Sequence, residues 1–472
     1  MKLNLKKIFL LFFYLLYLVI VISSIMVSKN LEYDTWFTLI FWITISHIFI
    51  TFLCFKSVGI GVFSISSIFV AISYVFHLGQ VVLKGVANNY NYSFDVSIII
   101  PEEIYKEAVI YSIVTISLVS VGVMLSNLID CRQKTISFKG FQKKLPNKVL
   151  IKIGWIILLL TFPIEFYYSI TKIIVSLKNG YADVLDVSSI GAISQFARFH
   201  LIGIALLIMG YSNQPKKSTL IFLLYAVYGV VTMLSGSRIY QIVSLLLMMY
   251  ILFKSTNMKI SFKKGSMIAI LMLFLTSFLN AISDIRSSNS RDFDVVWTAF
   301  IDSLNNNPLY GALEEFGGTI YTVCQTILQV PAKQEHSHGL QFITNFVSAI
   351  PNVKGVFSEI NSNSNFVLHL DTVALGGSYI AELYYSFEFI AYLVSLMIGI
   401  LIGVVSKNLG VYLNQGRFYE AAYYIMPIFS LMIWVRGSSG VFVRNSIWGT
   451  CLIYIIYKLL VKRQGKIQNK TS

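Results

Sequence analysis

Residues 8–27 read Ile8-Phe-Leu-Leu-Phe-Phe-Tyr-Leu-Leu-Tyr-Leu-Val-Ile-Val-Ile-Ser-Ser-Ile-Met-Val27, an apolar run without a charge, set behind Lys2, Lys6 and Lys7. A helix of about 20 such residues crosses the hydrocarbon core of a bilayer. The run resembles a signal peptide at first sight. It is long, however, and lacks a clear small-x-small cleavage site, so it reads as a retained anchor.

What this run implies for one helix, the composition implies for the whole chain. Of the 472 residues, 56% are hydrophobic, 15% aromatic and 12% charged, whereas soluble domains are about one-quarter charged. Disorder is excluded, because its signature is low hydrophobicity and few aromatics. Cys54, Cys131, Cys324 and Cys451 are scattered and have neither disulfide-scaffold nor metal-ligand spacing.

Working outward, about twelve stretches satisfy the length requirement. They lie near 8–27, 36–55, 58–83, 104–127, 149–171, 193–212, 218–235, 239–254, 266–282, 375–406, 419–436 and 444–461. The pair around the break at 235–239 reads either as two spans or as one re-entrant unit. Lys and Arg in short loops set orientation. With the N-terminus inside, most of the 37 basic residues fall on the inner side, among them Lys56, Arg132, Lys143, Lys216, Lys264, Lys407 and Arg463. Of the 22 acidic residues, only Asp130 and Glu420 fall in inner loops. The net charge of +15 is thus a topology signal rather than a nucleic-acid footprint. The expected fold is an all-α polytopic membrane protein of about 12 transmembrane helices with both termini cytoplasmic. Residues 1–282 carry helices one to nine, 283–374 form one large external loop with amphipathic helices, and 375–472 carry the last three helices and a basic tail.

Long loops without linker composition are usually functional. Within this one, Leu313, Phe316, Ile320, Val323 and Ile327 recur at helical spacing, and 340–350 form a second apolar stretch closed by Pro351. Both are expected at the outer interface, partly over the bundle. A lid that only packs is the plain alternative.

Charges at outer helix ends mark the candidate chemistry. Arg238 follows Ser235-Gly236-Ser237. Arg436 and Arg444 flank Gly437-Ser438-Ser439-Gly440, Arg198 lies in the sixth span, and Arg286 and Arg291 open the long loop. An Arg in a membrane helix normally has a partner or a purpose, with snorkelling to lipid phosphate as the bland reading. Guanidinium forks suit phosphate oxygens, and Gly/Ser turns let backbone approach a ligand. The neighbouring carboxylates are Glu314, Glu315, Asp371, Glu382 and Glu388, with Glu165 in the fifth span. Tyr379, Glu382 and Ser386 share a helix face. An intramembrane glutamate is either functional or a packing device paired with a buried Arg. His336-Ser-His338 falls short of a metal site, and Asp292-Phe-Asp294 reads mainly as a helix cap. There is no Walker loop, zincin motif or Gly-x-Ser-x-Gly elbow, and no metal or cofactor is expected.

At these residues the chain resembles the O-antigen polysaccharide polymerase (Wzy) family. The likeness rests on some twelve spans with one late external loop, on Ser-Gly-Ser-Arg at 235–238, Glu-Glu-Phe-Gly-Gly-Thr at 314–319, Gly-Gly-Ser-Tyr-Ile-Ala-Glu-Leu-Tyr-Tyr at 376–385, and on Arg436 and Arg444. It covers most of the chain and is densest from 230 to 445. It implies a multi-pass glycosyltransferase of the bacterial cytoplasmic membrane. Such an enzyme moves a growing glycan from undecaprenyl pyrophosphate onto a new lipid-linked repeat unit on the outer face. The products are capsule, O-antigen or another exopolysaccharide. Its partners are the lipid-linked oligosaccharide, the bilayer and, as the candidate protein partner, a chain-length regulator. Some members carry two large Arg-rich loops; here 172–192 is short, which departs from that pattern.

The residues suit this chemistry. The departing pyrophosphate needs positive charge, assigned to Arg238, Arg436 and Arg444 with Arg291 in reserve. The acceptor hydroxyl needs a base, with Glu315 first and Glu382 second. Tyr379 and Tyr384 offer faces for sugars, although interfacial belts also explain tyrosines. The rival readings are a lipid-linked oligosaccharide flippase, an O-antigen ligase and a non-enzymatic scaffold. The asymmetric loop and outer-face arginines argue against a flippase, which calls for a central cationic cavity and related halves.

Overall fold

The computed structural model describes residues 5–128, 147–179, 191–258, 293–350 and 376–471, with a few positions between them and without positions 88, 237, 306 and 348. Every regular element among the described residues is helical. The first four long helices are α1 (Leu5–Ser28), α2 (Tyr33–Val58), α3 (Ile65–Val86) and α4 (Glu102–Leu128). They are followed by α5 (Asn147–Asn179), a span over Ile193–Gly210 whose longest piece is α6 (His200–Gly210), α7 (Pro215–Met233) and α8 (Ile239–Ser255). Short helices α9 (Phe293–Asn305), α10 (Pro308–Gly317), α11 (Ile320–Gln329) and α12 (Leu340–Val347) make up the described part of the long loop. The chain closes with α13 (Tyr379–Phe387), α14 (Ala391–Asn414), α15 (Ile425–Trp434) and α16 (Ser439–Thr471).

Nine helices among the described residues are long and apolar enough to cross a membrane, counting Tyr379–Asn414 as one; α8 is apolar but shorter. The basic stretch 129–146 and, apart from Ser277 and Ala281, the expected span at 266–282 lie outside the described residues. The outward faces are those of a chain solvated by lipid. Phe9, Phe12, Trp42, Phe49, Leu159, Leu224 and Leu393 are all exposed, an arrangement that in water would leave apolar surface unsolvated.

Expected helix ends shift where local chemistry intervenes. Residues 58–83 read as one span, but Gly59 ends α2 at a left-handed φ of 92° and the Ser64 side chain restarts the chain by accepting from the Ser67 amide. At 235–239 the structure gives two helices, with a turn through Gly236 at φ +83°. The expected span 375–406 is broken by a single 3-10 turn, Glu388–Ile390. The expected 419–436 is split into Phe418–Ala422 and α15.

With no hydrophobic drive between helices in lipid, small residues let backbones approach. Gly399 and Gly403 of α14 face Gly122 and Ser126 of α4: a Cβ on Gly399 would lie 2.1 Å from the Val119 carbonyl oxygen, and one on Gly122 would lie 2.2 Å from that of Leu396. Gly154 of α5 and Gly203 of α6 make the same close approach, each facing the other's carbonyl. Two buried clusters result. One joins α1–α4 with α11, α13 and α14, the other joins α5–α8 with α15 and α16, and α14 and α15 contribute to both.

The loop helices correct one expectation. The stretch 312–330 is not a single amphipathic element over the bundle. It bends at Gly318-Thr319, and α11 is buried on nearly all sides. Its polar groups are satisfied inside: Thr322 donates to the Gly376 carbonyl at 2.9 Å, and Gln329 donates to Gln325 at 3.2 Å. No polar face is left that requires water. Helix α12 instead turns Leu340, Ile343 and Phe346 outward and Asn345 inward.

One end of the bundle gathers the site. Lys106 donates to the Leu31 carbonyl, the 90–94 loop meets α10, Arg238 meets α10, and Asn345 meets Ser439. The opposite end joins other turns through Asn127 to the Val58 carbonyl and Ser66 to Ser406.

Candidate functional site

The site is organised by two adjacent glutamates on α10. Asn307 caps this helix by accepting from the Leu309 amide, and Pro308 starts it. Gly317 presses α10 onto α3: a Cβ there would lie 2.4 Å from the Gln80 amide nitrogen. Held in this way, Glu314 and Glu315 point apart, as successive helical residues must. Glu314 is buried. It accepts from the Ser93 amide and hydroxyl, both at 2.7 Å, from the Phe94 amide at 2.9 Å and from the Tyr90 hydroxyl at 2.8 Å. The carboxylate thereby fastens the 90–94 loop. Burial, with Asp95 and Glu314 adding negative charge, pushes the Tyr92 hydroxyl well above its ordinary pKa.

Glu315 faces the other way and accepts from Arg238 Nη1. Arg238 stands at the N-cap of α8 and is 4% exposed. The pair ties the two helical clusters together, because α10 packs on α3 whereas α8 belongs with α5–α7. Sequence reasoning chose both residues, and the structure places them in contact.

Glu382 is fully buried at 0% exposure. One carboxylate oxygen accepts from the Ser439 hydroxyl at 2.6 Å and Asn345 Nδ2 at 3.2 Å; the other accepts from Trp434 Nε1 at 2.6 Å and the Ser439 amide at 2.8 Å. Four donors from three other elements converge on it, so α12, α15 and the N-terminus of α16 are pinned to α13. The carboxylate also faces the positive end of α16. The sequence alternative of a buried Arg partner is replaced by this neutral set. Tyr379 is likewise enclosed, against Phe69, His77 and Trp434. Ser378 caps α13 and bonds His77 at 2.8 Å.

Gly376 and Gly377 allow the α13 entry to lie on the α15–α16 turn. A Cβ on Gly377 would lie 2.3 Å from the Gly437 carbonyl oxygen, and one on Gly376 would lie 3.2 Å from Arg436 Nε. Arg436 is half-buried and passes over this glycine. Arg291, Arg286, Asp292 and Asp371 lie outside the described residues. His336 bonds the Tyr384 carbonyl at 3.0 Å. Among the described residues no three His, Cys, Asp or Glu groups are clustered so as to hold a metal ion.

Beside Arg238 lies a cavity of about 260 Å³ between α5, α6, α7 and α8. Its wall includes Glu165, Tyr168, Lys172, Arg198, Tyr228, Tyr240 and Gln241, and it takes in Ser235 on the near side of the Arg238 turn. Arg198 lies 5.6 Å from the Tyr240 ring centre and is close enough to act electrostatically on Arg444. Gln195 and Asn445 are hydrogen-bonded and hold these two arginines' helices together. Neither Arg198 nor Arg444 makes an ion pair among the described residues. Two half-buried guanidinium groups brought together in this way repel, and an anion between them relieves the repulsion. Sequence reasoning missed Lys172, which it placed in a loop. The signal was present, since Glu165, Ser169 and Lys172 fall at i, i+4 and i+7 once α5 is allowed to run to Asn179.

No curated protein and no solved structure matches the chain. The family model described as O-antigen polysaccharide polymerase Wzy matches residues 8–464. That match spans nearly the whole chain, and both the bilayer-facing helices and the arginine-bearing end lie within it. The chain therefore belongs to the O-antigen polysaccharide polymerase Wzy family and is a multi-pass membrane protein.

Proposed function

We propose that the chain joins oligosaccharide repeat units carried on undecaprenyl pyrophosphate, on the outer face of the bacterial cytoplasmic membrane, as a metal-independent glycosyltransferase. The observation that carries this reading is the Arg238–Glu315 contact next to a cavity whose wall holds Arg198, Lys172 and Ser235. Together these supply what the reaction needs: cations for a pyrophosphate and a carboxylate for a hydroxyl. An orientation with both termini inside is supported by Lys56, Lys216, Lys217, Lys407 and Arg417 in loops or at helix ends away from the site.

In this mechanism the acceptor hydroxyl oxygen attacks the anomeric carbon of the donor's lipid-proximal sugar. The carbon–oxygen bond to pyrophosphate breaks, and undecaprenyl pyrophosphate leaves with the electron pair. Arg198 and Arg444 carry the growing negative charge, with Arg436 at the rim. Fixed cations of this kind are worth several kcal/mol in a water-poor site. The hydroxyl proton passes to Glu315. In the resting state Arg238 holds that carboxylate; an arriving pyrophosphate engages the guanidinium and frees it. Glu382, with four donors already on it, positions α12, α13 and α16.

The test is Arg238→Ala in a strain lacking the wild-type gene, with protein level measured in membranes. Polymer is lost and single lipid-linked repeat units accumulate. Polymer of normal length with a normal protein level removes Arg238 from the reaction.

A further inference from the structure

The mechanism above uses the arginines on the cavity's edge and leaves its interior unassigned. That interior is not simply an anion hole. Glu165 projects into it, held by Ser169, whose hydroxyl is 3.5 Å from Glu165 Oε1 and 3.0 Å from the Tyr228 hydroxyl. Tyr168, Tyr228 and Tyr240 contribute aromatic walls, and Gln241 contributes a further polar group. A carboxylate accepts hydrogen bonds from hydroxyls in pairs, an amide both donates and accepts, and aromatic faces stack on the C–H face of a pyranose. The volume of about 260 Å³ has room for a sugar ring. Arg198 belongs at once to the cavity wall and to the Arg198–Arg444 pair. A pyrophosphate seated on the arginines therefore places the sugar bonded to it in the cavity.

We infer that this cavity is the subsite for the lipid-proximal pyranose of the donor, the ring whose anomeric carbon is attacked. Glu165, Tyr228 and Gln241 select and orient that ring, with Lys172 and Arg198 on the same wall. The inference rests on the proposed polymerase reading and names the substrate part bound at that same site. Glu165 is here a positioning and specificity residue; no bond is made or broken on it.

The experiment is photocrosslinking in the native strain with wild-type polymerase present. Benzoylphenylalanine replaces Tyr168 in a tagged full-length copy, with Tyr250, which lines a separate cavity at the opposite end, as the control position. Cells are labelled with [14C]glucose. After irradiation the purified protein is treated with mild acid, which cleaves the sugar–phosphate bond. The inference expects glycan label on the Tyr168 variant that survives acid, at least tenfold above the Tyr250 variant, and a fall of at least fivefold when Glu165→Gln is added at equal protein level. Label at Tyr168 that acid removes means the lipid or phosphate occupies the cavity, and overturns the sugar subsite while sparing the polymerase reading. Equal background label at both positions, in cells that accumulate lipid-linked glycan, overturns the subsite. A strain without the gene that still makes full polymer overturns the polymerase reading itself.

Discussion

Glu382 and Glu165 both sit within helices of the bundle, yet their surroundings differ in kind. Glu382 is enclosed and met by Ser439, Asn345 and Trp434 at distances between 2.6 and 3.2 Å. Glu165 lies on a cavity wall with one long contact from Ser169, facing Lys172 and Arg198 across open space. A carboxylate whose lone pairs are all used can fix geometry and has none left for a ligand. A carboxylate with spare lone pairs beside unpaired cations is costly to maintain unless something binds there. Glu314 and Glu315 repeat the contrast one residue apart: Glu314 is filled by the 90–94 loop, while Glu315 is attached to one arginine that a phosphate can take away. An intramembrane carboxylate is therefore a functional candidate only after its donors have been counted.

This contrast can be broken at either side. The largest effect is expected for Glu382→Ala, which takes away the buried acceptor shared by Trp434 Nε1, the Ser439 amide and the Ser439 hydroxyl. Removing such a partner costs roughly 3 kcal/mol or more, so the solubilised protein melts at a clearly lower temperature and its membrane yield falls. A melting temperature equal to wild type would show that the hub does not stabilise the fold. Next come Arg198→Ala and Arg444→Ala. Each is expected to lower polymer output by about a hundredfold or more with the melting temperature unchanged or slightly raised, since repulsion is relieved. A destabilised protein with proportionally lower polymer would make these arginines structural instead. Glu314→Gln is intermediate, at about 1–3 kcal/mol for imperfectly matched buried donors, and is expected to expose the 90–94 loop to limited proteolysis before the rest of the chain. Smallest is Tyr228→Phe, which keeps the ring and loses the hydroxyl on Ser169; polymer output should change by about threefold or less, in line with one hydrogen bond of about 0.5–1.5 kcal/mol.

The sequence shows the class of fold because hydropathy and loop charge are additive over long windows. It also shows the Arg238 and Glu315 positions, since charges at Gly/Ser turns stand out in an apolar chain. What it does not show are relations between distant residues. Nothing local tells Glu314 from Glu315; the difference comes from which way α10 is rotated, and that is set by Gly317 lying on Gly79. The burial of α11 was equally hidden, because its apolar spacing fits an interfacial helix, and the carbonyl that accepts from Thr322 belongs to Gly376, far along the chain. Lys172 escaped notice because a charge at the end of an apolar run reads as a loop, whereas α5 continues past it to Asn179.

The account's central claim is that the arginine-bearing end joins lipid-linked units. The most direct test is the lipid-linked glycan of a strain deleted for this gene and complemented with Arg444→Ala, resolved by size and by leaflet. The account predicts single repeat units on the outer leaflet, no polymer, and restoration by the wild-type gene. Units retained on the inner leaflet, or full-length polymer still on its lipid, would contradict it.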